Sequence, residues 1–234
     1  MEENLVVNDG KSEVIEVDGK KYQRLAIKTS VVTKDDDLKE VVKTYAAPNI
    51  EDGDVLFISE KMVACTQGRA IPLDEIKPRW LARVLSKFVM KTPHGIGLGM
   101  PETMEMALRE CGVLRILWAS FCGMVGKLLG KRGWFYEVAG YKASSIDGPC
   151  HYTLPPYNRY VVLGPENPEK VASELSEMLE GTPVLIVDIN DLGGTILGSS
   201  LGEETEAYYL QFLKDNPLGQ SKEQTPMGII RELE

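Results

Sequence analysis

The stretch that most constrains this chain runs from Asn167 to Ser200. Asn167 and Pro168 form a helix-starting pair, because asparagine suits an N-cap and the N–H that proline lacks is unpaired in a first turn anyway. Val171, Ala172, Leu175, Met178 and Leu179 then recur at helical spacing, and Gly181 stops the helix. The apolar run Pro183 to Val187 follows at once and reads as a buried strand. A helix and a strand so close in sequence commit the chain to a fold that mixes both.

Where that strand should surface, the sequence places Asp188, Asn190 and Asp191, then Gly193, Gly194 and Gly198. Carboxylate and amide oxygens are hard ligands that suit Mg²⁺ or Mn²⁺, ions that keep several waters and share coordination with phosphates. The glycines would let the backbone approach a bulky anion. The same residues also suit a polar turn, with Asn190 and Asp191 capping the chain and Asp188 meeting a lysine. Residue types leave both readings open. A calcium-binding EF-hand loop is excluded, because the twelfth position counted from Asp188 is Ser199 and that loop requires glutamate there.

Elsewhere the pattern keeps alternating. Val14 to Val17 and Tyr22 to Lys28 read as a hairpin turned at Asp18-Gly19. It is expected as an N-terminal extension over about residues 1–30 of a single 1–234 domain. The solvated acidic run Asp35 to Asp37 precedes a short helix, and Asp54 to Ser59 reads as a buried strand. A helix is expected from Pro78, with Leu81, Val84, Leu85, Phe88 and Val89 recurring at helical spacing. Another opens at Pro101 and carries Met104, Ala107, Leu108 and Cys111, and a last one is expected around Glu204 to Lys214. The fold class is therefore α+β, in the broad sense of mixed α/β.

The loop holding His94, Gly95, Gly97 and Gly99 feeds the Pro101 helix, which makes it a candidate anion site. It lacks the GK[ST] of a P-loop and the GxGxxG of a dinucleotide fold. His94 and His151 each read more readily as structural than as catalytic.

Net charge is −9, and the densest basic cluster is only Lys127, Lys131 and Arg132, which argues against a nucleic-acid partner. Cys65, Cys111, Cys122 and Cys150 form no CxxC pair and read as reduced thiols. The most apolar stretch, residues 113–129, is interrupted by Arg115 and Lys127. Its uncharged middle falls well short of the ~20 residues that a membrane span needs. The N-terminus is acidic and carries no apolar signal core. A cytoplasmic protein without a membrane partner is the expectation.

The stretch GDVLFISEKMVACTQGRAIPLDEIKP resembles the start of the ligases that attach glutamate to the deazaflavin coenzyme F-420. Their strand ends in Gln-Lys-x-Val-Ser-Lys-x-Glu-Gly-Arg, followed by an apolar pair and Asp-Leu. Glu60, Lys61, Val63, Gly68 and Arg69 hold the matching frame here, with Leu73 and Asp74 after it. YVVLGPENPEKVASELSEMLEGTPVLIVDINDLGG is similar to the proline-initiated helix and metal-bearing strand of the same family. The likeness covers about residues 50–200, in order.

The departures fall on the site. The family's Ser-Asp-Thr-Phe-Gly-Arg-Pro meets Ile189-Asn190-Asp191-Leu192-Gly193-Gly194, so the acid moves by one place and Gly194 stands where an arginine is expected. The family's Ala-Gly-Val-Asp-x-Ser-Asn meets Ala139-Gly140-Tyr141-Lys142-Ala143-Ser144-Ser145, so Lys142 stands where a metal-binding aspartate is expected, with Asp147 as the nearby substitute.

The resemblance implies an intertwined homodimer and a ligase dependent on GTP and on Mg²⁺ or Mn²⁺. A small-molecule acid would take the γ-phosphoryl group, and the amine of an amino acid would attack the acyl phosphate. In that scheme Lys61, Arg69 and Lys142 meet the reacting anions. His94, Gly95, Gly97, Gly99, Ser144, Gly193 and Gly194 line the nucleotide, and Asp188, Asn190, Asp191 and Asp147 hold the metal. The competing expectation is a non-catalytic relative that binds a nucleotide or metabolite through an eroded site. An interaction protein that uses an exposed, acidic C-terminal segment is a third.

Overall fold

The computed structural model describes residues 4–89, 97–131 and 133–233; His94 and Gly95 lie outside them. The strands are β1 (Leu5–Val6), β2 (Val14–Val17), β3 (Lys20–Ile27), β4 (Val55–Ser59), β5 (Ala70–Pro72), β6 (Tyr160–Val162), β7 (Val184–Asn190), β8 (Gly193–Ser199) and β9 (Met227–Leu233). The α-helices are α1 (Leu38–Tyr45), α2 (Glu60–Thr66), α3 (Trp80–Leu85), α4 (Pro101–Cys111), α5 (Val113–Leu128), α6 (Trp134–Ala139), α7 (Tyr141–Ser144), α8 (Pro168–Met178) and α9 (Glu206–Tyr209). They form two compact units, one made of Met1–Gly68 with Pro165–Glu234, the other of Arg69–Gly164.

The first unit holds a mixed, seven-stranded sheet in the order β1-β3-β9-β4-β7-β8, with β2 paired to β3. Only β4 and β7 run parallel; the other pairs are antiparallel. Both faces are covered. Leu56, Ile58, Val184, Ile186 and Ile229 pack with Met62 and Val63 of α2 and Ala172 and Leu175 of α8. Val55, Phe57, Leu185, Val187 and Ile230 pack on the other side with Phe212 and Leu213. Burial on two faces explains why β4 and β7 read as unbroken apolar runs rather than alternating ones.

Local signals set the ends of these elements. Val17 pairs with Lys20, and Asp18 and Gly19 take φ of 52° and 78°, the positive pair that a two-residue hairpin turn demands. β3 pairs with β9 from Lys21 to Ile27, so the hairpin is part of the sheet. Asp37 caps α1 by accepting the Glu40 N–H at 3.1 Å. Gly181, at φ 96°, closes α8 by donating its N–H to Ser176 O at 2.9 Å.

Three expectations are corrected. The C-terminal segment is no exposed acidic tail: β9 lies between β3 and β4, and Met227 to Ile230 are buried. The helix expected at 204–214 is broken into 3₁₀ turns on either side of the four-residue α9. The helix expected from Pro78 runs only from Trp80 to Leu85 before a 3₁₀ turn, with Val84 and Phe88 exposed.

In the second unit α3 to α7 enclose a core that includes Met104, Leu108, Ile116, Ala119 and Ile146, beside the two-stranded sheet β5-β6. Pro101 opens α4 as expected, and Met104, Ala107 and Leu108 are buried. Gly112, at φ 84°, separates α4 from α5, and the pair is bent by 118°. Among the described residues no single helix is long and apolar enough to cross a membrane.

Candidate functional site

The first unit brings together two places that the sequence singled out far apart. Ser59, the last residue of β4, stands opposite Val187 in parallel register. The chain therefore leaves β4 into α2 beside the point where β7 reaches Asp188. The Ser59 hydroxyl accepts the Lys61 N–H at 3.3 Å and starts that helix. α2 buries Met62, Val63, Ala64 and Cys65 and leaves Lys61 exposed. Side chains alternate along a strand, so Asp188 continues the face of Val184 and Ile186, the face against which α2 packs. Lys61 and Asp188 thus arise at the carboxyl ends of adjacent parallel strands, the general position for ligands on such sheets.

The rest of the acidic cluster is a turn. Asn190 pairs with Gly193, so Asp191 and Leu192 form the two-residue tip between β7 and β8. Asn190 Oδ1 accepts the Leu192 N–H at 2.9 Å, the local turn bond that asparagine is prone to make. The Asp191 carboxylate takes Lys11 Nζ at 2.7 Å, and its N–H donates to Gln220 Oε1 at 2.9 Å. A lysine thus pairs with Asp191 at the tip of this turn. Two of the glycines serve packing. A Cβ on Gly194 would fall on Asp188 O and the Ile189 side chain, and one on Gly198 would fall on the backbone of Pro168 and Glu169 at the start of α8.

Residues that sequence reasoning missed anchor this turn. Lys11 Nζ also donates to Asp215 O at 2.6 Å. Asp215 in turn pairs with Arg24, whose side chain is 1% exposed. Arg24 further donates to Phe212 O at 2.8 Å and Ser12 O at 2.5 Å. Hydrogen bonding from Arg24 outweighs partial burial and holds the Asp215 carboxyl below its ordinary range. No local pattern marks these residues, because their partners lie up to 204 positions away.

The second unit holds the remaining candidates. Arg69 donates through Nε to Gly164 O at 2.5 Å and pairs with Glu110 at 2.6 Å. Lys142 and Ser144 are exposed on α7, and the Ser144 hydroxyl donates to Tyr141 O at 2.9 Å. Asp147 bridges Val162 through both backbone bonds. The buried Ser145 hydroxyl has no hydrogen-bond partner among the described residues, and a Cβ on Gly164 would fall on it. Gly97, at φ 48°, lies against the Tyr136 hydroxyl, and Gly99 is buried. Burial raises the Tyr136 phenol, and a backbone bond involving Leu98 opposes that shift.

Among the described residues no three His, Cys, Asp or Glu side chains come together as a metal-holding group. Asn190 Oδ1 is turned to its own loop and Asp191 to Lys11. Asp188 fits as a single carboxylate ligand, the arrangement Mg²⁺ accepts when waters and phosphates supply its other positions.

Coenzyme F420:L-glutamate ligase of Methanopyrus kandleri is 30% identical to this chain over 144 residues, which is 62% of the chain and 48% of that protein. The chain matches about half the length of that curated relative. The family described as F420-0:Gamma-glutamyl ligase matches residues 26–191, from the end of β3 through the β7–β8 turn. The chain belongs to the F420-0:gamma-glutamyl ligase family.

Proposed function

We propose that this protein is a nucleotide-dependent ligase that joins the amine of an amino acid, glutamate in the first instance, to a small-molecule carboxylate. The observation that carries the reading is the pairing of β4 with β7. It sets Lys61 and Asp188 at neighbouring strand ends within a family whose name specifies glutamyl transfer. Lys61 offers an exposed ammonium to phosphate oxygens. Asp188 supplies the carboxylate for a Mg²⁺ or Mn²⁺ ion. When bound, that cation neutralises charge on the phosphates. GTP as the nucleotide, an acyl phosphate of the substrate acid and a homodimeric assembly are carried over from the resemblance.

One observation favours the alternative of a nucleotide- or metabolite-binding relative without catalysis. Asn190 and Asp191 are engaged by their own turn and by Lys11. Phosphate release separates the two readings, measured with GTP and ATP plus Mn²⁺ across a panel of acids and amino acids and paired with mass detection of the amide. The ligase reading expects release that depends on both substrates. It also expects release to fall by about 10²-fold or more in Lys61→Ala, the scale seen when one charge-stabilising donor is lost. Nucleotide binding without release under any combination overturns the ligase and leaves the binding protein.

A further inference from the structure

Helix α5 is built inside out. Its inner face carries Ala119, Gly123 and Gly126, small residues that let α6 approach closely. A Cβ on Gly123 would stand 3.0 Å from Phe135 Cβ, and one on Gly126 would stand 3.1 Å from the Trp134 ring. Its outer face carries Leu114, Leu117, Trp118, Phe121, Met124 and Leu128, between 40% and 84% exposed. These positions fall on one stripe of a 3.6-residue helix. Trp118 and Phe121 stack there with centroids 5.5 Å apart. A contiguous stripe of six large apolar side chains exceeds what a monomer ordinarily leaves in water, and such patches mark sites of interaction.

Charge indicates what covers it. Residues 113–136 contain Arg115, Lys127, Lys131 and Arg132 and no Asp or Glu, in a chain whose net charge is −9. Lys127 and Lys131 are exposed beside Leu128 and Leu129 at the C-terminal end of the helix. Lys131 Nζ lies 5.6 Å from the centroid of the Trp134 ring. Docking two copies of this stripe in parallel would set Lys127 and Lys131 against their own counterparts. A surface of anionic headgroups over an apolar interior complements both features at once.

We infer that α5 lies flat on an anionic lipid bilayer, with its outer stripe at the acyl boundary and Lys127 and Lys131 on headgroup phosphates. The expectation of no membrane partner rested on span length, a criterion that does not apply to a helix lying in the interface. This docking goes beyond the ligase reading and is independent of nucleotide.

Sedimentation of the full chain with vesicles tests it. One set is phosphatidylcholine alone, and the other is phosphatidylcholine mixed equally with phosphatidylglycerol. Binding to the anionic set is expected to be at least about ten-fold stronger and to weaken with added salt. Phe121→Asp should abolish it, and Lys127→Glu should lower it about ten-fold or more. Both side chains are exposed, so circular dichroism should show the variants folded. Absence of binding to either vesicle overturns the inference, and so does binding that Phe121→Asp leaves unchanged. A dimer in light scattering that Phe121→Asp dissociates would also overturn it and assign the stripe to a second copy.

Discussion

The Lys11 ammonium holds the Asp191 carboxylate at 2.7 Å across 180 positions of sequence. The same nitrogen donates to Asp215 O at 2.6 Å, so the tip of the β7–β8 hairpin is fastened to both the N-terminal segment and the last loop before β9. Asp191 is 54% exposed while Lys11 is 14% exposed, which places the pair between surface and interior. A Lys11→Ala and Asp191→Ala double-mutant cycle in urea should give a coupling of about 0.5–1 kcal/mol. A coupling near zero would leave Asp191 available as a ligand.

Metal dependence should follow Asp188. Asp188→Asn is expected to remove the Mn²⁺-dependent rise in Tm, because binding to the native state alone stabilises by mass action. Asp191→Asn should keep that rise. If the two variants behave the other way round, the cation sits at the turn and Lys11 yields to it.

Arg24 is a buried cation, its side chain 1% exposed, and Asp215 is its carboxylate partner. Asp215→Ala strands that charge. A fully buried pair broken in this way costs about 3–5 kcal/mol, and with Asp215 partly exposed the expected loss is about 2–3 kcal/mol in equilibrium unfolding. A loss below about 0.5 kcal/mol, the scale of an exposed pair, would mean that water replaces the carboxylate.

Glu105 gives the acid limb of stability in the second unit. Burial alone would raise its carboxyl, but hydrogen bonds from Arg79 and Arg109 outweigh burial and hold it below the ordinary glutamate range. The folded value lies below the unfolded one, so its contribution is complete above the unfolded pKa and is lost as pH falls through the folded one. Glu105→Gln should therefore lower Tm at neutral pH and flatten the decline of Tm in acid. An unchanged acid limb would remove Glu105 from that role.

Gly198 is where β8 meets the start of α8, and any Cβ there falls on backbone rather than on a flexible side chain. Gly198→Val should destabilise by about 1–3 kcal/mol through overpacking. It should do so with or without nucleotide. A loss of nucleotide affinity in a variant of wild-type stability would instead support the anion-approach reading of that glycine.

What the sequence determined by itself is local. Asp37, Ser59 and Gly181 end their helices, and Asp18-Gly19 turns its hairpin, because caps and turns are set by a few neighbouring residues. The strands β4 and β7 were legible as apolar runs, and Asp188 was visible at the end of one of them. Tertiary structure alone decided the rest. β9 became a central strand because burial on both faces erases the alternation that marks a half-exposed one. Lys61 came beside Asp188 only because β4 and β7 pair in parallel, which no local pattern announces. Asn190 and Asp191 closed a turn because Lys11, Gln220 and a neighbouring N–H reached their polar groups first. The orientation of α5 was decided in the same way. Helical periodicity separates one face from another, but the close fit of Phe135 and Trp134 against Gly123 and Gly126 chose which of them turned inward.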